Sequence, residues 1–224
     1  MLPEPGSGFT AALARAADQD IPALLHKERL RPEEFLALLL PAALPYLEAM
    51  AAKAHALTVQ HFGKTIQLYS PLYLSSYCTN ECVYCGFRAG NRERRKTLSL
   101  EEVESNAAAL AATGIRHILL LTGEAPKRTP LAYLVDCVHI VRRYFSSVGI
   151  EIHPLEEAEY AALKEAGVDS LTIYQETYDR ETYRQVHQKG PKTDYDYRLA
   201  TPARGARAGF RSVNIGALYD LADP

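Results

Sequence analysis

The sequence predicts an α/β protein, a partial TIM-type (β/α) barrel with about five parallel strands that is preceded by an N-terminal helical layer. From Ile66 onward, short apolar runs alternate with helical patterns, and this alternation is typical of parallel βαβ units joined by right-handed crossovers. Before Ile66 the pattern is helical only. We therefore expect a helical extension over residues 1–63 and a barrel over residues 64–224.

Two helices are predicted within the N-terminal extension. Pro32 begins a short helix, because proline fits the first turn of a helix, where its missing N–H is not needed. A longer helix is predicted from Pro45 to Val59, ended by Gly63.

Five apolar runs are predicted as strands, at residues 66–74, 118–123, 149–154, 170–175 and 211–218. The second is continuously apolar, which is typical of a strand buried on both faces. Helices are predicted between the strands. One begins at the capping box of Ser99 and Glu102, and others begin near residues 130, 156 and 180, with a single helix over residues 195–208.

A closed barrel needs about eight strands and about 250 residues, whereas this sequence shows five strands in 224 residues. The fifth strand would be an exposed edge, which proteins normally avoid. We therefore expect the sequence to be a C-terminally truncated part of a longer protein.

The composition is ordinary for a soluble globular protein, with 47% hydrophobic residues, 23% charged residues and a net charge of −2. It gives no reason to expect nucleic acid or a membrane as a partner. No apolar run reaches the roughly 18 residues of a membrane helix, and the first residues lack the pattern of a signal peptide. We expect a cytoplasmic protein, in which four cysteines do not indicate a disulfide scaffold.

Three cysteines, Cys78, Cys82 and Cys85, follow the first predicted strand with the spacing C-x3-C-x2-C. Four thiolates normally complete a [4Fe–4S] cluster, so three thiolates would leave one iron open, as catalytic metal sites leave a position for substrate. The alternative is a structural zinc site with a fourth ligand elsewhere. Cys137, the remaining cysteine, lies in an apolar helical pattern and is predicted to be buried in the core.

Polar residues also follow two other strands, at Gly123-Glu124 and at Gln175-Glu176. Because the active residues of a (β/α) barrel gather at the C-terminal ends of its strands, we expect these residues to face the cysteines. Taken alone, Glu124 could be a solvated turn residue, and Glu176 could cap the following helix.

A basic run follows the cysteines: Arg88, Arg92, Arg94, Arg95 and Lys96. It is either a solvated loop or a docking surface for an acidic electron donor, since opposite charges speed association. No interleaved aromatic residues support binding of nucleic acid.

The cysteine loop, with the aromatic Tyr84 before its last cysteine, resembles that of the radical S-adenosylmethionine (SAM) enzymes. Further segments resemble the 2-iminoacetate synthase family, the tyrosine lyases of bacterial thiazole (thiamine) synthesis. These segments are residues 71–78, 85–87, 91–98, 121–124, 174–178, 187–190, 197–199 and 215–218. The resemblance runs from about residue 31 to the end of the sequence and implies the radical SAM form of the barrel.

The resemblance implies that the three cysteines ligate a [4Fe–4S] cluster whose open iron binds the amino and carboxylate groups of SAM. It implies cofactor contacts for Tyr84, Gly123, Glu124, Gln175, Arg198 and Gly216. Glu124 with Gly123 would hold the SAM amino group, Arg198 would face its carboxylate, and Gly216 would lie near its adenosine. Tyr73 and Glu176 would act on the substrate. Alternatively, Tyr73 packs in its strand and Arg198 forms a surface salt bridge.

The implied reaction is reductive cleavage of SAM to methionine and a 5′-deoxyadenosyl radical. This radical would take a hydrogen from L-tyrosine, whose Cα–Cβ bond then breaks to give 2-iminoacetate (dehydroglycine) and 4-cresol. The implied partners are thiazole synthase and a flavodoxin- or ferredoxin-type reductant. The alternatives are the tyrosine lyase of hydrogenase maturation, a tryptophan lyase, a non-catalytic electron-transfer protein, or an inactive fragment that binds the cluster and SAM.

Overall fold

The computed structural model describes residues 7–221, with side chains described from residue 11. Residues 1–6, for which no signal-peptide pattern was predicted, and residues 222–224 lie outside the described part. The chain divides into two compact units, Met1–Gln67 and Leu68–Pro224.

The N-terminal unit is helical, as predicted. Its helices are α1 (Ser7–Ala17), α2 (Ile21–His26), α3 (Pro32–Leu38) and α4 (Leu47–Phe62), with a 3₁₀ helix at Pro41–Tyr46. The helix predicted to begin at Pro45 begins instead at Leu47, because Pro45 lies inside the 3₁₀ helix. Gly63 ends α4 with a φ of 68°, a conformation that favours glycine.

The described residues contain no single helix long and apolar enough to cross a membrane. The segments Pro32–Leu38 and Pro41–Phe62 meet that criterion only when taken together, by length and composition, and they are bent by 77°.

The second unit contains a five-stranded parallel sheet, with strands β1 (Tyr69–Ser75), β2 (His117–Thr122), β3 (Ser147–Glu151), β4 (Ser170–Thr172) and β5 (Ser212–Asn214). Each strand pairs with the next one along the chain, in the order β1-β2-β3-β4-β5. A doubly wound sheet would reverse its direction at a switch point, whereas this consecutive order is that of a (β/α) barrel. The predicted α/β fold, a partial barrel, is confirmed.

The helices of this unit are α5 (Leu100–Ala112), α6 (Leu131–Val141), α7 (Glu157–Ala166), α8 (Arg180–Val186), α9 (Tyr195–Leu199) and α10 (Thr201–Arg207). The capping box predicted at Ser99 is present, since Ser99 Oγ accepts from Glu102 N–H and the Glu102 carboxylate accepts from Ser99 N–H. The prediction of a single helix over residues 195–208 is wrong. Two helices meet at Ala200, because Pro202 has no N–H to continue the hydrogen-bond ladder.

The hydrophobic core lies between one face of the sheet and the helices. Leu72, Leu74, Ile118 and Leu120 point into it and are buried. The prediction that β2 is buried on both faces is wrong, because Leu119 and Leu121 on its other face are only partly buried. That face contributes Leu121 to the cavity described below.

The predicted first strand began too early, and the predicted last strand ended too late. Ile66 and Leu68 precede β1 and are 83% and 67% exposed. The ladder between β4 and β5 ends at Asn214, although Ala217 forms one isolated bridge with Glu176. Apolar composition alone did not mark where the strand pairing stops.

Candidate active site

A cavity of about 270 Å³ lies where the first four strands end, and all three cysteines of the loop line it. These cysteines are free thiols, as is Cys137. The side chains that line the cavity beside Cys78, Cys82 and Cys85 include Tyr73, Asn80, Tyr84, Phe87, Leu121, Thr122, Glu124, Glu151, Tyr174, Glu176, Lys192 and Arg198. The convergence of strand ends predicted from the sequence is thus present in the fold.

Backbone hydrogen bonds fix the cysteine loop on two sides. Glu81 N–H donates to Lys189 O at 2.9 Å, and Gln188 N–H donates to Glu81 O at 3.0 Å, as between paired strands. On the other side, the N–H and the hydroxyl of Thr79 both donate to Glu124 O at 2.9 Å. Residues distant in sequence therefore set the position of the loop.

Arg95 of the basic run has a structural role that neither interpretation of that run anticipated. Its guanidinium donates to the carbonyl oxygens of Ser76 at 2.6 Å, Phe87 at 2.9 Å and Arg88 at 2.6 Å. It therefore ties the two ends of the cysteine loop together. Lys96 instead forms an exposed ion pair with Glu102.

Glu124 and Arg198 form a buried ion pair in the wall of the cavity, and only 8% and 7% of these residues is exposed. Asn80 Nδ2 donates to the other Glu124 oxygen at 2.8 Å, and Arg198 Nε donates to Tyr174 O at 2.8 Å. Burial alone would raise the pKa of Glu124, but the charges of Arg198 and Lys192 and the hydrogen bonds from Asn80 and Arg198 together lower it. The surface salt bridge considered for Arg198 is excluded by its burial.

The lowered pKa of Glu124 predicts a dependence of stability on pH. A carboxylate whose folded-state pKa lies below its ordinary value of about 4.3 contributes stability that is present above that pH and is lost as the pH falls through the folded-state pKa. We expect the wild type to lose more stability than Glu124→Gln between about pH 5 and about pH 3, as measured by urea midpoints. Equal losses in the two proteins would contradict this assignment.

Tyr84 is held by a buried histidine. Its hydroxyl donates to His187 Nε2 at 2.6 Å, because His187 Nδ1 lies 2.9 Å from the carbonyl oxygen of Tyr183 and must carry the proton there. Burial lowers the pKa of His187 to about 4, and the positive charge of Lys192 contributes, so the ring is neutral. Burial also raises the pKa of the Cys82 thiol to about 11, so this thiol gives up a proton if it binds iron.

Tyr73 lies on the cavity wall, with 51% of its surface exposed and its ring edge-to-face with Phe87 at 5.8 Å. The alternative that it simply packs within its strand does not fit this exposure. It stands on the face of β1 opposite the core residues Leu72 and Leu74, as the alternation of side chains along a strand requires.

Glu176 also lines the cavity and pairs with Lys192 at 3.0 Å. Its φ of 72° is one of two positive values at non-glycine residues in the described part of the chain, and residues held in this way cluster at functional sites. The helix cap considered for Glu176 is provided instead by Asp179, which accepts from Thr182 N–H.

Two sequence-predicted residues, Gln175 and Gly216, are not among those that line the cavity. The Gln175 side chain is buried and donates to Tyr195 O at 3.2 Å. A Cβ on Gly216 would lie 2.6 Å from the ring of Tyr174. Gly216 thus lies behind Tyr174, which lines the cavity, and Gln175 is bonded to the backbone outside it.

The site residues that were not predicted from the sequence include Asn80, Glu151 and Lys192 in the cavity wall, and His187, which binds Tyr84. Glu151 is the last residue of β3, so the rule that located Glu124 and Glu176 would also have found it. Burial raises its pKa, and the charge of Glu176 adds to the effect. The strand-end rule could not find Asn80, His187 or Lys192, because their roles come from contacts with distant parts of the chain.

Gly123 allows the end of β2 to approach the cysteine loop closely. A Cβ there would lie 2.3 Å from the carbonyl oxygen of Tyr77 and 3.0 Å from the Cβ of Cys78. We expect Gly123→Ala to lower the free energy of unfolding by roughly 1–3 kcal/mol, because the backbone must move, as measured by urea unfolding. Gly86→Ala is the matched control, since its Cβ would meet nothing within 4 Å. Equal stability of the two variants would show that no close approach exists.

The donor set of the cavity fits a [4Fe–4S] cluster with one open iron. A single metal ion would need its ligands to converge on one point, and no group of three or more His, Cys, Asp or Glu side chains in the described residues does so. A cluster does not need this convergence, because each thiolate binds a different iron. Cys137, the candidate fourth zinc ligand, is fully buried in the core, as predicted. Thr122 Oγ1 is buried at the cavity without a hydrogen-bond partner and is available to a ligand.

The sequence profile of the Radical SAM superfamily matches residues 72–221. The chain therefore belongs to this superfamily, and membership implies a [4Fe–4S] cluster and SAM. Among its curated relatives, the 2-iminoacetate synthase of Escherichia coli (strain K12) is 44% identical and that of Salmonella typhimurium (strain LT2) is 43% identical over 204 residues. Each alignment covers 91% of this chain and 54% of the relative. The resemblance stated from the motifs is confirmed.

Two solved structures resemble this chain in both fold and sequence. A crystal structure of HydG, a maturase of the [FeFe]-hydrogenase, matches with a TM-score of 0.90 and 31% identity over 98% of this chain and 51% of that one. Methylornithine synthase (PylB) matches with a TM-score of 0.77 and 26% identity over 91% and 60%. The chain spans about half the length of the curated relatives it matches first.

Proposed function

We propose that this chain is the cluster- and SAM-binding part of a radical SAM lyase that cleaves the Cα–Cβ bond of L-tyrosine to 2-iminoacetate and 4-cresol in thiamine thiazole biosynthesis. The observation that carries the proposal is one cavity that contains the three cysteines, the Glu124–Arg198 pair and Tyr73. The 43–44% identity to two 2-iminoacetate synthases supports the choice of substrate.

The cysteines and the Glu124–Arg198 pair have these roles in the proposal. Cys78, Cys82 and Cys85 would hold the cluster, which together with bound SAM would supply the 5′-deoxyadenosyl radical. Glu124 accepts hydrogen bonds from the SAM amino group, and Arg198 faces the SAM carboxylate. These two side chains bind each other in the structure, so each is oriented and charged for a partner of opposite charge.

Tyr73 and Glu176 are the residues proposed to contact the substrate. Tyr73 presents an exposed aromatic ring at the cavity, next to Phe87, and a phenol ring can pack against such an edge-to-face pair. Glu176 lies across the cavity wall and carries a negative charge that is offset by Lys192. Tyr84, braced by His187, keeps the cysteine loop in place.

Gln175 and Gly216 act through neighbours in this proposal. Gly216 allows close approach to the Tyr174 ring, which lines the cavity. Gln175 holds the backbone at Tyr195, three residues before Arg198. Both therefore shape the SAM site without lining it.

A second candidate is the tyrosine lyase of hydrogenase maturation, which is favoured by the TM-score of 0.90 to HydG. The higher sequence identity to the 2-iminoacetate synthases, 44% against 31%, favours the thiazole pathway. Thiazole synthase as the acceptor of the imine, a flavodoxin- or ferredoxin-type reductant and a cytoplasmic setting are proposed on the same resemblance.

The test is an anaerobic assay of the full-length lyase of which this chain is the proposed cluster- and SAM-binding part, after reconstitution with iron and sulfide, with dithionite, SAM and tyrosine added. We expect 5′-deoxyadenosine and 4-cresol in equal amounts. Formation of 5′-deoxyadenosine without 4-cresol would contradict tyrosine cleavage. A protein that binds cluster and SAM but forms neither product would support the non-enzymatic alternative.

A further inference from the structure

Lys192 is a buried cation at the cavity whose charge has no function in the reaction proposed above. It lines the cavity with the three cysteines and is 8% exposed. Its ammonium lies 3.0 Å from Glu176 Oε1 and 5.6 Å from the centre of the Tyr84 ring, which stands between Cys82 and Cys85 in sequence. Burying a lysine ammonium removes it from water, and buried lysines are therefore rare unless paired. The pair with Glu176 offsets this desolvation.

The backbone of Lys192 is held beside the cysteine loop, while its ammonium is held by Glu176. Lys192 N–H donates at 2.9 Å to Oδ1 of Asn80, which lies between Cys78 and Cys82 in sequence. Two residues earlier, Gly190 has a φ of 94°, and a Cβ there would lie 2.4 Å from the same Asn80 oxygen and 2.7 Å from Thr79 O. The backbone of residues 190–192 is therefore packed directly onto the loop that carries the cysteines.

A cation in this position affects how readily a cluster on that loop accepts an electron. Reduction adds one negative charge to a cavity that already contains Glu124, Glu151 and Glu176. Lys192 and Arg198 are the two buried cations among the described residues that line the cavity. Arg198 pairs with Glu124 and Lys192 with Glu176, and Lys192 is the one whose backbone is bonded to the cysteine loop. The potential of an iron–sulfur cluster depends on local charge, and charges act strongly where water is excluded.

We propose that Lys192 raises the reduction potential of the cluster, and that Glu176, its ion-pair partner, limits the increase. This inference rests on the proposed function, because it requires a [4Fe–4S] cluster on Cys78, Cys82 and Cys85. It assigns Lys192 and Glu176 a joint role in setting when the cluster accepts its electron. The electron itself comes from the external reductant.

The test is a redox titration of the reconstituted chain, followed by the electron paramagnetic resonance (EPR) signal of the reduced cluster, without SAM or tyrosine. We expect Lys192→Met to lower the potential, with about a tenfold loss in the equilibrium constant for reduction, which is about 59 mV for one electron. Lys192→Arg should keep the wild-type potential, because it keeps the charge. Glu176→Gln should raise the potential, because it removes the opposing charge.

Lys189→Met is the matched control, since it removes a lysine from the same loop at an exposed position, where solvent screens the charge. It should leave the potential unchanged. A Lys192→Met protein with a full cluster and a wild-type potential would overturn the proposal. If Lys192→Met does not take up the cluster, an unchanged potential in Glu176→Gln would overturn it instead. A wild type without a [4Fe–4S] cluster would refute the proposed function itself, which is a distinguishable result.

Discussion

Replacement of Cys82 by alanine is expected to abolish cluster binding and to reduce the formation of 5′-deoxyadenosine to background. Cys82 is the buried member of the three cysteines that line the cavity. With two thiolates left, the loop provides only half of the usual four ligands of a [4Fe–4S] cluster. The measurement is iron and sulfide content after anaerobic reconstitution, together with the absorption of the cluster near 400 nm.

Cys137→Ala is the control for this substitution. Cys137 is fully buried in the core beside Leu134 and Val138 and does not line the cavity. Its loss leaves a small cavity in the core but removes no proposed ligand, so cluster content should stay at the wild-type level. If Cys82→Ala kept its cluster while Cys137→Ala lost it, the assignment of the ligands would be wrong.

Arg198→Met is expected to destabilise the barrel unit by about 3–5 kcal/mol, because it leaves the Glu124 carboxylate buried beside an apolar side chain. The substitution also removes the hydrogen bond from Arg198 Nε to Tyr174 O. Asn80 still donates to Glu124, but an amide does not neutralise a charge. The measurement is the free energy of unfolding in urea at neutral pH.

Arg207→Met provides the comparison, because the Arg207–Glu157 pair joins side chains that are 58% and 49% exposed. Exposed pairs contribute about 0–1 kcal/mol, so this variant should unfold close to the wild type. If Arg198→Met lowered the free energy of unfolding by less than about 1 kcal/mol, water would have to reach the Glu124–Arg198 pair. The cavity wall would then be more open than the structure shows.

The architecture could be predicted from the sequence because its determinants are local. The capping box at Ser99, the proline at the start of α3 and the glycine after α4 act within one turn of helix. The predicted boundaries were wrong where another feature of the chain overrode the pattern of apolar residues. Pro202 divided a helix that periodicity alone continued, and the pairing between β4 and β5 ended before the apolar run did.

The site could be predicted in part, because strand ends bring distant residues to one rim. That rule located Glu124 and Glu176 at the cavity, and the family resemblance located Tyr73 there. It could not reveal how the cysteine loop is held, since Tyr84 and His187 are 103 positions apart and Asn80 and Lys192 are 112 apart. Such contacts depend on the folded chain, and neither His187 nor Lys192 lies in the cysteine motif that the spacing identifies.

The most direct test of the central claim, a [4Fe–4S] cluster with one iron open to SAM, is EPR spectroscopy of the reduced chain before and after SAM is added. We expect about four irons and four sulfides per chain and a signal that changes on addition of SAM, because SAM binds the iron that lacks a thiolate. A preparation with stoichiometric zinc and no iron, or a cluster signal that SAM leaves unchanged, would contradict the claim.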